Sequence, residues 1–332
     1  MRTIAIDRLP AGSPAIPDYV RRSQPFVTQV TWPAHERWTL AYLQHKCQPA
    51  QAIAFRKPDG HKLELPLAEY LGILADPTWG ERYELLGIPQ TRIWLEGAPD
   101  PGLGELIDDL AIPSFVDRTR LQSINLWLQG GAYDNGNHYD PNGLHNFNVQ
   151  ISGTKRWRLF DPDLASVFTI RPALETIAPP LMTSHTRHPD ECRGNPGYDE
   201  AVCHEATLAP GDAIFVPAFF MHWVTHESEL HVNVNFWWAP EHVPMAGIPV
   251  AWALVNALLR VFRRRMPGAS LGEICAAIAA TSAETRALLL DLEQTFLTEP
   301  DVLTSARAMS LRRGDGAPRR VEGIEATLRD RS

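Results

Sequence analysis

Cysteine is scarce in this chain. Four residues in 332 (Cys47, Cys192, Cys203 and Cys275) are scattered without the density of a disulfide scaffold. A reducing compartment follows as the simpler expectation, and a cytoplasmic location with it. A surplus of positive charge is also missing: the formal net charge is −8 at pH 7. Phosphate binding needs a basic surface, so nucleic acid is not expected as the main partner. Long apolar runs are absent as well. The opening residues, Met1-Arg2-Thr3-Ile4-Ala5-Ile6-Asp7, lack the apolar core of a signal peptide. The most apolar stretch, 247–262, is short for a bilayer span and carries Asn256 and Arg260, so no membrane span is expected. Its residues Val250, Leu254, Leu258 and Val261 recur at helical spacing and read as a packed amphipathic helix. Arg263-Arg264-Arg265 would then decorate a helix C-terminus, with a membrane-surface anchor as the alternative reading. No internal repeat is visible.

What remains is ordinary globular composition, and the length allows one large domain with appendages. Four regions are expected. Residues 1–115 form a mixed α/β N-terminal part, with short helices at 38–43 and 67–71 and a strand around 53–55. Residues 116–242 are strands bounded by Gly, Pro, Asn and Asp. Residues 243–310 are helical, with capping-box pairs Ser270/Glu273 and Thr281/Glu284. Residues 311–332 make a tail, expected to be mobile. The fold class is therefore mainly β with flanking helices.

Two strands carry a pattern that an open sheet would not need. In Asn146-Phe147-Asn148-Val149-Gln150-Ile151 amides alternate with apolar residues, and His231-Val232-Asn233-Val234-Asn235-Phe236 repeats the alternation. Period two puts the amides on one face. Amides in place of charges suit the polar lumen of a small barrel better than open solvent. Between these strands, Ala209-Pro210-Gly211-Asp212 reads as a turn leading into Ala213-Ile214-Phe215-Val216, with His222 just past that strand's end.

The chemistry centres on His138-Tyr139-Asp140 and on His222, 82 positions after the aspartate. Two imidazoles and one carboxylate on one face of an iron(II) ion leave three positions open. The histidine and aspartate share a strand face as positions i and i+2, while the distant histidine needs a strand adjacent in space, as closed antiparallel sheets allow. Taken alone, such a pair also fits a surface histidine and a turn aspartate ahead of Pro141.

The wider set of motifs decides between these readings. His138-Tyr139-Asp140, Asn146-Phe147, Gln150-Ile151-Ser152-Gly153-Thr154-Lys155-Arg156-Trp157, Pro210-Gly211-Asp212, Val216-Pro217, His222 and Val234-Asn235-Phe236-Trp237 occur in that order. Over residues 25–242 the chain resembles the JmjC-type, cupin-fold 2-oxoglutarate oxygenases, including the asparaginyl hydroxylase of hypoxia-inducible factor and its bacterial relatives. The resemblance implies a double-stranded β-helix (jelly-roll) core and Fe(II) held by His138, Asp140 and His222. It also implies O2 and 2-oxoglutarate as co-substrates, the latter decarboxylated to succinate while a substrate is hydroxylated. Lys155 would pair with the distal carboxylate of 2-oxoglutarate, with Asn146 and Asn235 near metal and co-substrate. The family also uses an earlier tyrosine, for which Tyr83 and Tyr133 stand as candidates. C-terminal helices in the placement of 243–310 imply a homodimer. The chain departs from the pattern in Pro141-Asn142-Gly143-Leu144-His145, which is longer than its counterpart. Asp134-Asn135-Gly136-Asn137 stands where relatives carry Thr or Ser.

The substrate stays open between a protein or peptide side chain and a small metabolite, and demethylation is a variant of the same reaction. Two rivals remain: a metal-dependent cupin enzyme that does not use 2-oxoglutarate, and a non-catalytic cupin-fold binding protein. His185, His188, Cys192, Cys203 and His204 could be drawn as a zinc site, but their spacing fits no standard finger. They read better as a loop over the barrel mouth. His145, His226 and His231 read as structural, His231 as a spare polar group in the lumen.

Overall fold

The structure is a computed structural model. It describes residues 1–241 apart from 48–50, 57–61, 77–82, 86–91, 96, 131–132, 141–143, 163, 165–166 and 169–187. The expectations for 243–310 and 311–332, including the 247–262 helix and the dimer-forming helices, lie outside the described residues.

The N-terminal part contains β1 (Arg2–Ala5), α1 (Ile16–Arg21), β2 (Phe26–Gln29), α2 (Ala34–Arg37), α3 (Leu40–Lys46), β3 (Gln51–Arg56), β4 (Lys62–Pro66), α4 (Leu67–Ala75), β5 (Tyr83–Leu85), β6 (Arg92–Leu95) and β7 (Ala98–Pro99). Eight strands follow: β8 (Leu121–Gly130), β9 (Tyr133–His138), β10 (His145–Ser152), β11 (Lys155–Phe160), β12 (Val202–Leu208), β13 (Asp212–Val216), β14 (Met221–His226) and β15 (Leu230–Trp238). They divide into two sheets, β13-β10-β15-β8 and β12-β11-β14-β9, paired antiparallel throughout. Successive strands alternate between the sheets, except that β11 and β12 stay in one, which is the jelly-roll winding of a double-stranded β-helix. The N-terminal strands do not form a sheet of their own. β1 extends one sheet beyond β12, whereas β2 and the β5-β3-β4 group extend the other at its two edges.

The two faces of the larger sheet differ as the alternation requires. Phe147, Val149, Ile151, Val232, Val234 and Phe236 are buried in one apolar cluster with Leu126 and Leu128 of β8 and with Leu43, Leu67, Tyr70 and Leu71 of the N-terminal helices. Each such side chain contributes about 1.5–3 kcal/mol on leaving water, so the N-terminal part holds the sheet from behind. Helix α3 begins where Thr39 accepts a hydrogen bond from the Tyr42 amide, 3.2 Å away, freeing the helix to present Leu43 to this cluster. The opposite face carries the buried amides Asn146, Asn148, Gln150, Asn233, Asn235 and Asn125. They face the lumen between the sheets, not solvent.

The smaller sheet obeys the same rule. In β11, Lys155, Trp157 and Leu159 are buried while Arg156 and Arg158 point outward to Glu227 and Glu205. The turn before β13 forms as expected: Gly211 has φ +90°, a conformation glycine adopts without strain, and the Asp212 amide closes the turn on the Ala209 carbonyl at 2.9 Å. His222 lies past the end of β13, as the second residue of the next strand, β14. The intervening Pro217-Ala218-Phe219-Phe220 turn reverses the chain, with Phe219 at φ +66°.

Candidate metal centre

His138 ends β9 and His222 is the second residue of β14, and the register pairs the two residues directly. Their ring centroids lie 4.2 Å apart. Asp140 falls two residues past His138, beyond the end of the strand. One ligand atom from each of His138, Asp140 and His222 can be chosen so that all lie within 4.8 Å of one another. No other such group of three occurs among the described residues. A metal fits at the centre of that triangle.

The histidine rings are oriented by their own backbone. His138 Nδ1 lies 3.0 Å from the Gly136 carbonyl oxygen, and His222 Nδ1 lies 3.0 Å from the Phe220 carbonyl oxygen. A carbonyl only accepts, so each Nδ1 carries the proton and donates it. In the neutral rings Nε2 is then the nitrogen with a lone pair, the form a metal requires. Trp157 stacks on His222 at 5.9 Å with a 30° tilt, holding the ring from the β11 side. Asn146 Nδ2 donates to Asp140 Oδ2 at 3.4 Å, a long contact that steers the carboxylate from β10.

From this end the lumen runs along the strands to Lys155. On β11 the residues go Leu159, Trp157, Lys155, and on the paired β14 they go His222, Val224, His226. Four residues of strand cover about 13 Å. Lys155 is buried and donates from Nζ to Asn233 Oδ1. Burial pushes its ammonium down to about 7. Among the described residues no carboxylate pairs with it. Between the two ends, Asn148 Oδ1, Gln150 Oε1 and Trp157 Nε1 are buried without a hydrogen-bond partner among the described residues. Buried polar atoms are almost always satisfied, so a lumen lined by orphaned ones is built to receive a polar guest. A 2-oxo dicarboxylic acid, chelating at one end and anionic at the other, matches that lining.

The remaining expected residues fall as follows. Asn235 is in the lumen, and its Oδ1 accepts from Asn125 Nδ2 at 3.1 Å. Tyr83 stands in β5, whose Glu84 pairs with Gln129 of β8. The side chains of Tyr83, Tyr133 and Asn135 lie outside the described residues, as do His185 and Arg187. Cys192 and Cys203 are packed in an apolar cluster with Tyr139, Phe160, Phe168 and Met221. Burial pushes the Cys203 thiol up to about 11. His188 lies edge-on to Trp223 at 4.1 Å. Sequence reasoning missed Trp157 as a support for His222. The signal was available in the alternation of Lys155-Arg156-Trp157-Arg158-Leu159, which puts Trp157 on the face of Lys155.

The fold and site thus define a class: a double-stranded β-helix with two histidines and one carboxylate at the mouth of its lumen. Comparison with known proteins agrees with that class. Residues 99–242 match the family described as the Cupin-like domain. The chain is 31% identical over 152 residues to Lysine-specific demethylase JMJ31 of Arabidopsis thaliana, covering 43% of this chain and 25% of that protein. It is 30% identical over 141 residues to Lysine-specific demethylase 8 of Danio rerio, covering 41% and 33%. It is 28% identical over 144 residues to tRNA wybutosine-synthesizing protein 5 of Mus musculus, covering 43% and 41%. The matches span only a quarter to two fifths of these relatives.

Proposed function

We propose that the chain is an Fe(II)- and 2-oxoglutarate-dependent oxygenase that hydroxylates a carbon on a protein or peptide side chain. The observation that carries this reading is the pairing of two features in one lumen. A metal triad with its ring nitrogens already set lies at one end, and a buried lysine facing no carboxylate among the described residues lies at the other. His138, Asp140 and His222 would hold the iron, which when bound supplies the redox chemistry with O2 and the 2-oxo acid. Lys155 anchors the distal carboxylate, a charge-assisted contact strengthened by the sealed surroundings. Asn146 and Asn235 orient the groups nearest the metal. Trp157 keeps water from the middle of the lumen and the His222 ring in place.

The protein-side-chain substrate draws support from two relatives named for lysine demethylation. Hydroxylation of an N-methyl group releases formaldehyde, so demethylation falls within the same proposal. The net charge of −8 favours a peptide over an RNA.

The test is an anaerobic titration of the protein with Fe(II) and 2-oxoglutarate, following the metal-to-ligand charge-transfer band in the visible. The expected result is a band that disappears in His138→Ala and weakens more than tenfold in affinity in Lys155→Ala. A metal-loaded protein without the band would overturn 2-oxoglutarate use and favour a cupin enzyme of other chemistry. Failure to bind iron would favour a non-catalytic binding protein.

A further inference from the structure

The carbonyl that orients His222 stands in a strained turn. The Phe220 oxygen, 3.0 Å from His222 Nδ1, belongs to Pro217-Ala218-Phe219-Phe220, which the Phe220 amide closes on the Pro217 carbonyl at 3.2 Å. Phe219 has φ +66°, and among the described residues other than glycine only Ser23 shares a positive φ. A residue with a Cβ is disfavoured there, so such a turn persists only where its surroundings over-determine it. One contact that does so comes from far away in the chain. The Ala218 amide donates to His145 Nδ1 at 3.1 Å, both groups buried and 73 residues apart.

His145 is itself firmly held. It opens β10 at 3% exposure and pairs with Trp238 of β15. Its ring meets Phe215 of β13 at 5.0 Å and Trp238 at 5.3 Å. Burial holds the imidazole down to about 4, so the ring is neutral at neutral pH. A neutral ring whose Nδ1 accepts carries its proton on Nε2. That is the opposite tautomer to the one His138 and His222 adopt. The next residue, Asn146, turns to the other face of β10 and reaches Asp140. Two consecutive residues of one strand thus support two different ligands. One acts on the carboxylate, the other on the turn ahead of His222.

We propose that His145 is a positioning residue for the metal centre: by accepting from Ala218 it fixes the β13–β14 turn, and with it the Phe220 carbonyl that selects the Nδ1–H tautomer of His222. The inference rests on the proposed metal-binding role of the triad and not on the use of 2-oxoglutarate. It assigns a part in the site to a residue that the sequence reads as structural. The bond from ring to carbonyl stays local to the start of β14, and His145 decides where that carbonyl stands.

The experiment starts from the metal-free full chain with isotope-labelled histidine, in which nuclear magnetic resonance reads the tautomer of His222 at pH 8. Anaerobic competition titration with Fe(II) follows. In His145→Asn the amide oxygen takes the place of Nδ1, whereas in His145→Gln it falls further out, where Nε2 stood. His145→Asn is expected to keep the Nδ1–H tautomer of His222 and an Fe(II) affinity close to that of the unsubstituted chain. His145→Gln is expected to mix the two tautomers and to weaken Fe(II) about tenfold, the lower figure for loss of an outer partner of a metal ligand. Denaturant unfolding of the metal-free variants separates this from general damage. Destabilisation without a change of tautomer would assign His145 to the fold alone and overturn the proposal. Equal behaviour of the two variants, or loss of the tautomer in His145→Asn, would overturn it too. If the unsubstituted chain binds no Fe(II), the proposed function itself fails, while the tautomer comparison in the metal-free protein still decides the role of His145.

Discussion

The two ends of the lumen are organised by opposite means. At the metal end both histidine rings hydrogen-bond to a carbonyl two residues earlier in the chain, Gly136 for His138 and Phe220 for His222. These are local bonds, made as soon as each strand end forms, so the ligand nitrogens face inward before any metal arrives. The lysine end has no such arrangement. Lys155 is buried on β11, beside His226 of β14, and no carboxylate among the described residues pairs with it. One end is preorganised and content without its guest; the other is strained electrostatically until an anion enters. A cofactor that chelates through one end and carries charge at the other would relieve the strain only when correctly oriented.

The sharpest way to break this comparison is Lys155→Met. Burial lowers the Lys155 ammonium to about 7 from its ordinary 10.5. Between those values the unfolded chain holds a proton that the folded chain has released, so folded stability rises with pH across that window. Below pH 7 the destabilisation is fully present, of the order of a few kcal/mol. Lys155→Met should therefore raise the stability of the ligand-free protein at pH 6 and remove most of the slope from pH 7 to 10. It should also abolish co-substrate binding. In the unsubstituted chain the affinity for 2-oxoglutarate should fall as pH climbs through 7, because only the ammonium pairs with the carboxylate. Denaturant unfolding at several pH values and calorimetric titration check both halves. A Met variant less stable at pH 6 would refute the claim that this end is strained.

A smaller effect is expected from Gly153→Ala in the β10–β11 turn. Gly153 has φ +79°, and a methyl there would collide with the Leu230 carbonyl oxygen as well as crowd His231. The conformation alone costs about 1–3 kcal/mol for a residue with a Cβ. Thermal unfolding should show that loss, and 2-oxoglutarate should bind several-fold more weakly because the displaced turn leads directly into Lys155. Iron affinity should not change, since the triad is at the far end. Equal damage to iron binding would mean the two ends are coupled through the fold.

Sequence periodicity carried much of this. The amide alternation of 146–150 and 231–235 located the lumen face, and the spacing of His138, Asp140 and His222 named three side chains that the fold brings together. What periodicity could not carry was pairing between distant segments. Residues 1–115 read as a mixed α/β part packing on the core, but nothing local foretold that β2 pairs with β13 and that β5 and β6 pair with β8, continuing the larger sheet. That His226 stands directly beside Lys155 was not legible for the same reason: β11 and β14 are far apart in sequence, and no local pattern records which strands become neighbours.

The smallest expected effect tests whether the metal end is truly set by backbone. Asn146 is the one described side chain seen donating to a ligand carboxylate, at 3.4 Å, the long edge of hydrogen-bond range. Well-made outer partners of metal ligands contribute about 10–100-fold in metal affinity. A contact this long should contribute less than the lower of those figures, so Asn146→Ala is expected to weaken Fe(II) binding only a few-fold in an anaerobic competition titration. The Gly136 and Phe220 carbonyls, which no side-chain substitution removes, would then carry most of the orientation. A loss of a hundredfold would instead make Asp140 dependent on its amide neighbour. The metal end would then be assembled by long-range contacts, as the lysine end is, and the contrast between them would collapse.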